Sequence, residues 1–313
     1  MRMLDESVVG DNEVDSLGHM NARFYLVRVQ RAAKSALSAC GIRLDDPEEP
    51  GALFERADTY CRFYREQLVG ALLQVRGGIL DAAHDGVRVA VNITNPVQAE
   101  LAASFIIRYV LLDRATRSML SWPPELRARC EAAAAGLAVE SEARPPELKT
   151  LRTDLTLEQV ENRIRRPNSS LMGGSFERAI QANECDEDGY LRFGVDLVSG
   201  VPRVAQLQAD RGEQPPVFRT GNGRRFGWAL LETRGIVLSR PRAGEVLRVL
   251  AADIGMRRKT CWARRWLFNL SANRLVGMED TVGIGLDLDA RRSVEIPPDI
   301  RRELEHGLAP ELA

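Results

Sequence analysis

Three side chains capable of acid–base or nucleophilic chemistry stand close together near the start of the chain. Asp15, His19 and Asn21 lie in the run Asp15-Ser16-Leu17-Gly18-His19-Met20-Asn21, and Tyr25 follows shortly after. A carboxylate can attack an electrophilic carbon or take a proton from water. A helix is expected to begin directly after the run. The first N–H groups of a helix lack intrahelical partners and sit at the positive end of its dipole. Amides near Arg23, Phe24 and Tyr25 are therefore expected to polarise a carbonyl or hold an oxyanion. Gly18 permits a sharp turn or a close backbone approach ahead of that helix. Taken singly, each residue also has a plain structural reading. Asp15 fits a turn or cap, His19 a satisfied structural histidine, Asn21 an N-cap, and Tyr25 packing on the helix's core face. Their joint spacing favours function for Asp15 first and His19 next.

The helix that must position these groups reads from Ala22 to about Cys40. Tyr25, Val29, Ala32, Ala36 and Cys40 recur at helical spacing, with Arg23, Gln30, Lys34 and Ser38 on the other face. Asn21 stands at the N-cap position and Gly41 at the C-cap. Extended segments follow at Thr59 to Gln67, Ala71 to Ala82, Gly86 to Ile93 and Ala99 to Leu112, and a short helix follows Pro123-Pro124.

The same plan recurs in the second half. Asn12-Glu13-Val14-Asp15 with Gly18 lines up with Asn183-Glu184-Cys185-Asp186 and Gly189. Gly70-Ala71-Leu72-Leu73 faces Gly244-Glu245-Val246-Leu247, Asn95 faces Asn269, and Pro123-Pro124-Glu125-Leu126 faces Pro297-Pro298-Asp299-Ile300. These matches keep their order at a near-constant offset, so the chain reads as one unit used twice. The second copy has Tyr190 where the first has His19, and Arg192 where the first has Asn21. The helix expected to follow there contains Gly194, Gly200 and Pro202, which predicts a short or kinked element. Asp186 and Tyr190 therefore mark a degenerate second site. The expected division is residues 1–137 for the first copy, a charge- and proline-rich connection at 138–172, helical around Leu155 to Ile164, and 173–313 for the second copy.

At 313 residues the chain can bury two ordinary cores. Its net charge of −1 gives no global field for nucleic acid or an anionic membrane, and no apolar run is long enough to span a bilayer. Met1 to Gly10 shows no secretory signal. The five cysteines are odd in number, dispersed and without a CxxC pair, which favours reduced thiols in the cytoplasm over disulfides or zinc. His84 and His306 read as surface residues, with no metal-ligand spacing. Glu66 and Gln67 read as the end of a strand.

The pattern Asp15-x-x-Gly18-His19-Met20-Asn21-x-x-x-Tyr25, with Gly70-x-Leu72 and Pro124-x-Leu126 downstream, resembles the hotdog-fold thioesterases, specifically their 4-hydroxybenzoyl-CoA and acyl-ACP thioesterase-like branch. The resemblance implies an α+β tandem double hotdog, each copy a long helix wrapped by a curved antiparallel sheet, with active sites lying between paired hotdogs. It implies hydrolysis of an acyl-CoA or acyl-ACP thioester, with Asp15 as nucleophile or general base and His19 and Asn21 orienting water or substrate. Gly18, Phe24 and Tyr25 would line the substrate. Coenzyme A would enter as part of the substrate, with no cofactor or metal, and its phosphates call for basic groups such as Arg62 and Arg65, or Arg224-Arg225 and Arg257-Arg258-Lys259. One working site per chain is expected, with the second copy as scaffold. A homodimer of double hotdogs remains open. Two other functions stay open as well. A hotdog dehydratase or hydratase would space carboxylate and histidine one residue further apart, and a non-catalytic acyl-CoA-binding scaffold would need no catalytic set at all.

Overall fold

The computed structural model describes residues 2–14, 18–44, 51–134, 152–164, 175–192, 218–219 and 223–313. It divides into two compact units, Met1–Ala143 and Arg144–Ala313.

In the first unit, β1 (Arg2–Val8) leads through a 3-10 turn (Asp11–Glu13) to α1 (Ala22–Ser38). Strands β2 (Ala52–Phe63), β3 (Leu72–Ala83), β4 (Gly86–Asn95) and β5 (Glu100–Asp113) follow, then the short β6 (Met119–Leu120) and α2 (Pro124–Ala134). The strands lie in the antiparallel order β1-β3-β4-β5-β2. α1 forms as its pattern predicts. The Asn21 side chain caps it, the Cys40 and Gly41 N–H groups return to Leu37 and Ser38, and Gly41 takes a φ of +79°. Its buried face, including Tyr25, Leu26, Val29, Ala33 and Leu37, lies on the sheet. An edge-on chain of rings, Tyr25–Phe63 at 5.2 Å and Phe63–Phe105 at 6.0 Å, ties helix to strands.

β2 departs from expectation. It starts at Ala52, not Thr59, and its ladder ends at Phe63. The charged residues Glu55, Arg56 and Asp58 hide the strand in the sequence. Glu55 is nonetheless buried and paired with Arg117 at 2.8 Å. After Phe63 the N–H groups of Tyr64 and Arg65 both reach the Ala102 carbonyl, and the chain leaves the sheet.

The second unit repeats the plan. A short helix, α3 (Leu157–Glu161), precedes β7 (Phe176–Ala179), the short β8 (Phe218–Arg219), β9 (Arg225–Val237), β10 (Val246–Met256), β11 (Thr260–Asn269), β12 (Arg274–Asp287), β13 (Arg292–Ser293) and α4 (Pro298–Gly307). Strand order is β7-β10-β11-β12-β9. The helix expected after the second motif falls at residues outside those described.

The registers coincide, and the comparison exposes a difference in chemistry. One cross-strand row in the first unit runs Gly77–Val91–Phe105–Cys61, and its counterpart in the second runs Ala251–Arg265–Glu279–Gly235. The next row runs Ile79–Val89–Ile107–Thr59 against Asp253–Ala263–Thr281–Thr233. Opposed residues in an antiparallel ladder share a face, and in the first unit Phe63 and Phe105 place that face against α1. The surface that is apolar in the first unit thus carries Asp253, Arg265 and Glu279 in the second. The reverse face of the second sheet packs an apolar cluster beside a buried Arg264–Asp280 pair at 2.6 Å. Leu250, Trp266, Phe268 and Met278 are buried there against Leu155 and Val160 and the C-terminal Ala309 and Leu312.

Candidate active site

The loop between β1 and α1 is built before any functional group is placed. The Gly10 N–H donates to the Glu13 carboxylate, and the Glu13 N–H to the Gly10 carbonyl. Arg28, buried on α1, donates to both Glu13 oxygens at 3.0 and 2.7 Å, to Ser7 Oγ at 2.8 Å and to the Phe24 carbonyl at 3.2 Å. The Arg28 guanidinium holds the Glu13 carboxyl below its ordinary range. Past the turn, Val14 bridges Met20, Gly18 takes a φ of +79°, and the Asn21 N–H bonds the Glu13 carbonyl at 2.9 Å. Asp15 lies between Val14 and Gly18, outside the described residues.

Asn21 Oδ1 accepts the Arg23 N–H at 3.1 Å, and the Asn21 carbonyl accepts that of Phe24 at 3.0 Å. Arg23 and Phe24 therefore spend their amides on the cap and have none to offer a substrate, against the expectation that first-turn amides at these positions would hold an oxyanion. The Ala22 N–H takes neither bond. The Arg23 guanidinium lies over the Phe24 ring at 4.5 Å.

His19 finds a partner that sequence reasoning set aside. Its Nε2 lies 3.7 Å from Glu66 Oε1, both side chains being partly shielded from solvent. Glu66 gets there because β2 ends early. The Met20 N–H donates to the Gln67 carbonyl at 2.7 Å, which clips the strand exit to the motif. Tyr25, buried under this clip, has its hydroxyl pKa raised, by burial first and by the Glu66 charge second. Had the early strand exit been legible, a carboxylate three residues past a strand and facing the motif would have stood out.

The expected phosphate contacts are less concentrated. Arg62 stays on β2 with its guanidinium 5.2 Å from the Tyr64 ring centroid. Arg65, beyond the strand, is exposed and pairs with Glu100 at 3.5 Å.

The second unit keeps the scaffold of this loop and changes its contents. Arg178 pairs with Glu184 at 2.6 Å, Cys185 bridges Leu191, the Arg192 N–H bonds the Glu184 carbonyl, and Gly189 has a φ of +81°. The Asp186 carboxylate accepts the N–H groups of Asp188 and Tyr190 at 3.0 and 2.9 Å, the pattern of a turn-forming aspartate. Tyr190, in the histidine's place, is buried and bonds Arg242, whose guanidinium lies 4.5 Å over its ring. Among the described residues no group of three or more His, Cys, Asp or Glu side chains is arranged to hold a metal, and no helix is long and apolar enough to cross a membrane.

Residues 9–130 match the model of the Thioesterase-like superfamily. None of the curated protein sequences compared matches the chain. Among solved structures, a 12:0-ACP thioesterase from Umbellularia californica superposes with a TM-score of 0.65 at 13% identity, covering 90% of this chain and 93% of that one. An acyl-ACP thioesterase from Bacteroides thetaiotaomicron gives a TM-score of 0.62 at 8% identity, over 89% of this chain and 96% of that one. At such identities the likeness is one of fold.

Proposed function

We propose, on the premise that residues 9–130 match the thioesterase-like superfamily, that the protein hydrolyses an acyl thioester, carried on coenzyme A or on acyl carrier protein, at one site in the N-terminal unit. The observation that carries the reading is the pairing of His19 with Glu66 at the start of α1, inside the segment that matches the superfamily.

Thioester hydrolysis needs a nucleophile, a route for its proton and a group that favours charge on the carbonyl oxygen. Asp15 supplies the carboxylate. It either attacks the thioester carbon, expelling the thiolate and leaving an anhydride that water then cleaves, or takes the proton from an attacking water. His19, with Glu66 behind it, orients water or the substrate carbonyl. Asn21 has committed Oδ1 to the cap, so Nδ2 is the atom it can present to substrate. At the helix end the Ala22 N–H, rather than those of Arg23 and Phe24, is left to polarise the carbonyl. Arg62 and Arg65, at the end of β2 and just beyond it, are the arginines of this unit that a carrier phosphate would meet. The buried, unbridged cysteines suit a cytoplasmic protein.

Release of free thiol from a panel of acyl-CoA and acyl-ACP substrates, followed with a thiol reagent, tests the reading. Turnover of at least one carrier class is expected. Tight binding of every acyl thioester with no thiol release would convert the reading to a binding protein.

A further inference from the structure

We propose that Gln67 is a positioning residue of this site: a buried carboxamide contact from Asn95 fixes the strand exit that sets Glu66 against His19. The inference rests on the thioesterase reading of the N-terminal unit and extends it to a residue that touches no substrate.

Gln67 is 1% exposed. Its backbone carbonyl is held by the Met20 N–H. Its side chain is held as well, with Oε1 accepting Asn95 Nδ2 at 2.9 Å. The orientation of Asn95 is fixed independently, because Asn95 Oδ1 accepts the N–H groups of Val97 and Gln98 at 3.1 and 3.2 Å. Asn95 must therefore present nitrogen to Gln67, and Gln67 must answer with oxygen. Gln67 Nε2 then lies buried with no hydrogen-bond partner among the described residues. A buried donor without an acceptor is destabilising, so a residue chosen for stability alone would not be glutamine. A glutamate there would also accept from Asn95, but it would set a second carboxylate beside Glu66. Glutamine is the neutral residue of that length that satisfies Asn95.

The second unit serves as an internal control. It keeps the main-chain clip, with the Leu191 N–H donating to the Pro241 carbonyl at 2.8 Å. The residue in Gln67's place is thus a proline, with neither N–H nor carboxamide. Asn269, the match of Asn95, still accepts the Ala272 N–H, but its Nδ2 turns to Glu245 at 2.9 Å. Where the histidine has become Tyr190, the carboxamide contact is gone while the backbone clip remains. The clip belongs to the scaffold, and the carboxamide contact accompanies the histidine.

The test is a double-mutant cycle on the full chain, using a thioester that the wild type hydrolyses. Gln67→Met is expected to lower kcat by about tenfold to about a hundredfold, the scale of a small misplacement of a reacting group, with KM nearly unchanged and the thermal midpoint held or raised. In the Glu66→Gln background the same substitution is expected to cost almost nothing, because the group it positions is already gone. Full kcat in a folded Gln67→Met, or losses that simply multiply in the double variant, would overturn the proposal. Should Gln67→Met not fold, Gln67→Leu removes the same carboxamide, and the same non-additivity with Glu66→Gln is required. A wild type that releases no thiol from any carrier defeats the functional reading and this proposal together. A wild type that turns over, with a fully active Gln67→Met, defeats this proposal alone.

Discussion

His19 and Glu66 are distant in sequence and 3.7 Å apart in the fold, and that separation decides what each can do. An imidazole without a carboxylate behind it is free to rotate away from the helix start. Glu66→Gln keeps the shape and removes the charge. It is expected to lower kcat by roughly 10²-fold, in the range for a group assisting proton transfer, with little change in KM, as steady-state thiol release will show. The turn at Gly18 and the cap at Asn21, with His19 between them, could be placed from spacing alone, because a motif confined to a few residues needs no tertiary information. Glu66 could not. It depends on where β2 stops, which is set by Tyr64 and Arg65 sharing one carbonyl across the ladder. The amides of Arg23 and Phe24 show the converse. The sequence correctly placed a helix start there, but which N–H groups the Asn21 cap consumes is a matter of angles and distances that no residue pattern encodes.

An ion pair ties the turn ahead of α1 to the helix. Arg28 on the helix and Glu13 in the turn are joined by two hydrogen bonds, both side chains being mostly hidden from water. Removing one partner of a buried pair strands the other charge, at a cost of about 3–5 kcal/mol. Arg28→Met is therefore expected to lower the thermal midpoint markedly and to lower kcat with it, since the motif hangs from this turn. The pair also sets an acid limit. Glu13 titrates below its ordinary value in the folded protein, so the unfolded chain takes up that proton first as the pH falls. Its stabilising contribution is full above about pH 4.3, the free glutamate value, and is lost as the pH drops through the lower folded value. Glu13→Gln should flatten that part of the stability-against-pH curve, measurable by denaturant unfolding. None of this pairing shows in the sequence, where Arg28 reads as one more charge on a helix. α1 itself was legible because its apolar spacing, its cap and Gly41 agree. β2 was half missed because Glu55 and its neighbours look solvent-facing until Arg117 is brought beside Glu55.

At the scale of the whole chain, two units share strand order, register and loop scaffold while differing in what they place on them. The repeat was readable from collinear matches. The replacement of an apolar floor by Asp253, Arg265 and Glu279 was not, because it shows only when strand registers align the rows. Alkaline stability is a property of the buried, neutral groups. Burial pushes the Cys130 thiol and the Tyr109 hydroxyl each up to about 12. The unfolded chain releases those protons first, so stability should fall as the pH rises from about 8.5, the free thiol value, toward the folded values. Cys130→Ala should lessen that fall in denaturant titrations at rising pH. The central claim is one working site per chain, in the first unit, with Asp186 serving its turn rather than a reaction. Thiol release by Asp15→Asn and Asp186→Asn, on the same acyl thioester, tests it most directly. Asp15→Asn is expected to lose about 10³-fold in kcat while Asp186→Asn keeps the wild-type rate. Equal losses in the two variants, or a fully active Asp15→Asn, would contradict the claim.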